Sequence, residues 1–135
     1  MTLPTGPRQW VSDESIVFEY LKKTEQDSWF SGSGTLSLDL DGKTLIVSKN
    51  RDAGCYMVSF LDVGQMAPGD VLLSSEESAE ISWVAVGGER WPVPAAFLVR
   101  IEAVSAAVHH FFLTGEKLST LRWVDAGEAM TAVGL

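Results

Sequence analysis

The chain has 135 residues, an ordinary apolar fraction of 46% and a formal net charge of −8, from 18 Asp and Glu against 10 Lys and Arg. These values exclude a disordered chain and disfavour direct nucleic-acid binding, because an acidic surface repels phosphate backbones. There is no apolar run of about 18 residues to form a membrane helix, and one cysteine, Cys55, leaves no internal disulfide.

The length fits one domain, 1–135, with loose ends at 1–9 and 126–135. The opening "MTLPTGPRQW" lacks a basic stretch followed by an apolar one, so no signal peptide is expected. With the single cysteine, this points to a reducing, cytoplasmic setting.

"WVSDESIVFEYLKK" predicts a helix over 13–25. Ser12 is the expected N-cap, and Asp13 and Glu14 face the positive end of the helix dipole. Ile16, Val17, Tyr20 and Leu21 repeat at helical spacing. The glycines of "SGSG" (31–34) lead into a strand and lack a following lysine, so they read as a loop rather than a phosphate cradle. Leu36, Leu38 and Leu40 alternate with polar residues, and Asp41-Gly42 is a two-residue hairpin turn before "KTLIVSK".

"CYMVSFLD" (55–62) predicts a third strand, with Cys55 as a small buried residue, and "VLLSS" (71–75) a short fourth. "EISWVAV" (80–86) predicts another strand, ended by Gly87-Gly88. "ERWPVPAAF" cannot be a central strand, because Pro92 and Pro94 donate no ladder bond; it is an extended edge leading to the last helix. In 101–114, Ile101, Val104, Ala107, Val108, Phe111 and Phe112 fill one arc of a helix, and Gly115 suits the left-handed residue that ends it. "STLRWV" alternates like a strand, with Leu121 and Trp123 on one side. The sum is an α+β fold: a two-layer arrangement of an antiparallel sheet of about 5–6 strands with an N-terminal and a C-terminal helix packed on it.

The sequence offers no constellation of residues for catalysis or metal binding. His109 and His110 lie about 130° from the apolar arc and about 100° from each other, pointing outward and apart. No ligand stands one turn from either, so no metal and no cofactor is expected. No nucleophile motif is present, and no catalytic residue is expected. Of the five tryptophans, Trp10, Trp29 and Trp123 stand beside element ends and are assigned to the core. Trp83 is either core or on an open sheet face, and Trp91 is either an exposed interface residue beside Arg90 or a lid folded on the sheet. "SSEESAE" (74–80) is the densest acidic run, a solvated loop or a lip for a basic surface.

The stretch "LVRIEAVSAAVHHFFLTGEKLSTLRW" resembles the "immunity protein one" family of bacterial polymorphic toxin systems, through Leu98, Val99, Glu102, Ala103, Phe111, Phe112, Thr114, Gly115, Glu116 and Trp123. Upstream, "LDGKTLIVSKNRDAGCYMVSFLD" resembles the family's hairpin, so the likeness spans 10–125. Family members often carry Arg and Pro after the Thr-Gly-Glu, where this chain has "KLS". The resemblance implies a cytoplasmic antidote that binds and inhibits a cognate toxin, often a nucleic-acid (cytosine) deaminase. Such a toxin has a basic, nucleic-acid-binding surface that an acidic protein can cover. The matched block is then scaffold, and contacts are expected on loops and edges: Asp52, Glu76, Glu77, Glu80, Arg90 and Trp91. An α+β adaptor or ligand-binding module is the alternative, ahead of a small carboxylate enzyme. The sequence leaves the oligomeric state open.

Overall fold

A computed structural model describes residues 1–2, 10–22, 35–49, 55–66, 69–74, 80–86 and 89–135. In chain order they form α1 (Glu14–Lys22), β1 (Thr35–Leu40), β2 (Lys43–Lys49), β3 (Tyr56–Leu61), β4 (Asp70–Leu72), β5 (Ile81–Val86) and β6 (Glu89–Pro94). A single 3-10 turn (Ala95–Phe97), α2 (Ile101–Thr114), β7 (Trp123–Asp125) and α3 (Ala126–Ala132) follow.

Five strands make one antiparallel sheet in the order β1-β2-β3-β4-β7. The first turn is the predicted one: Asp41 (φ 52°) and Gly42 (φ 80°) both take positive φ, and Leu40 pairs with Lys43 across them. On one face, Leu36, Leu38, Leu45, Val47, Tyr56, Val58, Phe60 and Leu72 pack against Val17 and Leu21 of α1 and against Val104, Ala107, Val108 and Phe111 of α2. The Phe60 and Phe111 rings meet edge to face at 6.3 Å and 74°. Burying each such side chain contributes about 1.5–3 kcal/mol, so this seam dominates stability.

The fold is α+β with an antiparallel sheet, as expected, but the second face of the sheet is partly covered. β5 and β6 leave the main sheet and pair only with each other. Their inward Val84 and Val93, with Phe97 and Ala126, pack over Met57 and Val71. β3 is therefore buried on both sides, which accounts for its nearly unbroken apolar run. On this face Ser48 Oγ is buried without a hydrogen-bond partner among the described residues.

Several local expectations change. The cap of α1 is Asp13, not Ser12: its Oδ1 accepts from Ser15 N at 2.9 Å and its carbonyl from Ile16 N. These bonds from Ser15 hold the Asp13 carboxyl below its ordinary value. Trp10 is fully exposed rather than core, whereas Trp123 is half-buried against the main core; Trp29 lies outside the described residues. Ile101, expected in the buried arc of α2, is exposed. Cys55 is half-buried. The tail expected to be loose forms α3, capped by Asp125, whose Oδ1 accepts from Glu128 N at 2.9 Å.

Candidate partner-binding surface

The strand β7 and the turn before it consume their own bonding capacity. Gly115 ends α2 at φ 73°, its N–H donating to Phe111 O at 2.7 Å. A Cβ there would come within 3.2 Å of Leu40, so glycine serves both conformation and space. Thr114 Oγ1 donates to His110 O and accepts from Glu116 N. Glu116 pairs with Lys43 of β2. Lys117 reaches Asp70 of β4 at 2.5 Å and lies over the Phe60 ring. Trp123 Nε1 donates to Leu118 O at 2.9 Å. Every one of these bonds joins two groups of the fold itself, as scaffold requires.

His109 shares that character. It is exposed, but its Nδ1 is 2.7 Å from Glu14 Oε2, tying α2 to α1. Among the described residues no group of three or more His, Cys, Asp or Glu is placed to hold a metal.

The β5–β6 hairpin is different. Alternation sends Val84 and Val93 into the core and turns Ile81, Trp83 and Ala85 of β5, with Arg90 and Pro92 of β6, to the other face. Trp83 sits opposite Pro92, and Ala85 opposite Arg90. Arg90 is therefore diagonal to Trp83, and its guanidinium lies 5.1 Å from the ring centre. Ile81 and Trp83 are each 42% exposed. The result is an outward apolar face carrying an oriented cation on a two-stranded support.

The sequence paired Arg90 with Trp91, but register puts them on opposite faces, and Arg90 stacks on Trp83 instead. Trp91 lies in β6 rather than in a loop; it is 45% exposed and opposite the buried Val84. Glu80 is exposed at the base of the hairpin, where its carbonyl accepts from Ala95 N at 2.8 Å. Asp52, Glu76 and Glu77 lie outside the described residues. Trp83 and Ile81 were the residues the sequence left undecided or unmarked. The two-residue period of "EISWVAV" separates them from Val84, but only the register of the folded hairpin says which face turns out.

The scaffold block lies within the segment that identifies the chain. The family model for immunity protein Imm1 matches residues 11–125. This chain belongs to the Imm1 immunity protein family. Comparison with curated proteins and with solved structures finds no match. As an Imm1 member the chain has an immunity function against a toxin, which implies binding of a cognate toxin. No helix among the described residues is long and apolar enough to cross a membrane. In this family member the matched region thus includes both the internally bonded turn at Gly115 and the outward face of the hairpin.

Proposed function

We propose that this immunity protein works in the cytoplasm by seating on the substrate-binding surface of its toxin, and that the toxin is a nucleic-acid (cytosine) deaminase. The observation that carries the reading is the exposed Trp83–Arg90 pair on a hairpin whose other side is anchored in the core. Large aromatic and arginine side chains on a rigid support lose little entropy on binding and dominate interface energetics. Ile81 and Pro92 extend this patch, and Glu80 flanks it with negative charge. Trp91, on the other face of the hairpin, and Asp52, Glu76 and Glu77 remain proposed contacts.

The partner's chemistry follows from charge. A toxin acting on nucleic acid needs a basic groove, and a chain of net charge −8 complements one. That complementarity speeds encounter, while the hairpin anchors set the lifetime of the complex. A stable interface takes about 800 Å² from each partner, a small share of this chain's 7564 Å² surface.

The test pairs the chain with the toxin domain encoded beside it. Stoichiometric complex formation and loss of cytosine deamination in single-stranded DNA or RNA are expected. The combined W83A and R90A substitutions should weaken the complex at least about thirtyfold without unfolding the protein. A complex of unchanged affinity would remove the hairpin from the interface. A toxin with no activity on nucleic-acid bases would remove the deaminase reading and leave toxin binding intact.

A further inference from the structure

The edge of β3 is shared by two segments. Ser59 and Phe60 pair with β4, while Tyr56 pairs with Val99, whose N–H and carbonyl bond Tyr56 at 2.7 and 2.8 Å. Between them β4 diverges: Leu73 N bonds Arg122 O, and Ser74 N bonds Ala96 O. This divergence opens a cleft of about 570 Å³ between the start of α2 and the β4–β7 end of the sheet. Leu98 and Leu121 are among its apolar lining residues, and Ser74 and Thr120 add hydroxyls.

Two arginines from different elements line the cleft: Arg100, which precedes α2, and Arg122, which precedes β7. Both are exposed, and among the described residues neither side chain has a hydrogen-bond or ion-pair partner. Glu102 also lines the cleft but bridges to neither. Arg90, the other described arginine, is stacked on Trp83. On a chain of net charge −8, two unpaired arginines at one apolar cleft are a local reversal of sign. Guanidinium groups bind carboxylates in a two-point fork, and apolar walls strengthen that bond by excluding water.

We propose that this cleft is a second docking site for the toxin, taking a segment in which an acidic side chain neighbours an apolar one. The inference rests on toxin binding as the function and adds a basic contact to the acidic ones already argued. Two contacts of opposite sign fix the orientation of a partner, since any reversed arrangement opposes like charges.

The experiment measures affinity for the neighbouring toxin domain with R100E/R122E and R100K/R122K, each first shown to unfold at the wild-type temperature. Charge reversal should weaken binding at least about thirtyfold, and the lysine pair by less, because charge is kept and the fork is lost. An affinity within about threefold of wild type after reversal would overturn the cleft as a contact while leaving toxin binding by the hairpin standing. In parallel, the peptide acetyl-Leu-Glu-Leu-amide is titrated into the free protein by amide NMR. Saturable shifts at Ala103, Thr120 and Arg122, absent in R100E/R122E, support the site. No saturable shift up to about 10 mM overturns its carboxylate chemistry. Peptide binding without any binding of the toxin domain overturns the toxin as occupant and with it the toxin-binding reading.

Discussion

The turn from α2 into β7 and the β5–β6 hairpin both carry aromatic and charged side chains, yet they spend them in opposite ways. In the turn, Glu116, Lys117 and Trp123 each find a partner within the fold. In the hairpin, Ile81 and Trp83 stay exposed and Arg90 is held over an exposed ring. Polar and aromatic groups consumed internally specify a shape. Those left facing outward on a rigid support have their binding energy still available for a partner.

The contrast is broken most forcefully through the core seam beneath the turn. Phe111 is 1% exposed and packs on Phe60. F111A should cost about 3–5 kcal/mol in denaturant unfolding, and any loss of toxin binding should vanish once the unfolded fraction is accounted for. The converse is W83A: a loss of about 2 kcal/mol or more in toxin affinity measured by calorimetry, with a much smaller change in unfolding midpoint. Comparable losses of stability in both variants would mean that the hairpin face is scaffold too.

A finer test lies at Gly115, where φ is 73° and a Cβ would press on Leu40. G115A should destabilise by about 1–2 kcal/mol, read as a lowered melting temperature, with toxin affinity of the folded protein unchanged. The smallest effect is expected at the cap of α1. The folded Asp13 carboxyl titrates below its ordinary value of 3.8, so its contribution is complete above that pH and is lost as pH falls through the lower, folded value. The gap in melting temperature between wild type and D13A should therefore be constant near neutrality and close at strongly acidic pH. A gap that persists in acid would assign the effect to something other than the carboxylate.

Much of the fold was legible because its signals are local. The Asp41-Gly42 turn, the alternating leucines of β1 and the apolar arc of α2 all follow from backbone sterics and side-chain period, and the structure keeps them except at the exposed Leu40 and Ile101. Errors arose where the answer depends on distant chain. Trp10 looked like core from its neighbours but meets no cover. The terminal segment looked loose because its small residues carry little hydrophobic signal, yet Ala126 and Met130 are held by the hairpin's core. Arg90 and Trp91, adjacent in sequence, fall on opposite faces because a strand alternates.

For this protein the sequence alone determined the element types up to Trp123, the tight turn, the acidic charge and the family-bearing block, since propensity, period and charge are properties of neighbouring residues. The tertiary structure decided that β5 and β6 leave the main sheet, that Arg90 meets Trp83, and that Arg100 and Arg122 share a cleft. Those outcomes depend on register and on which strand edges remain unfilled, quantities set by the packing of segments far apart in the chain.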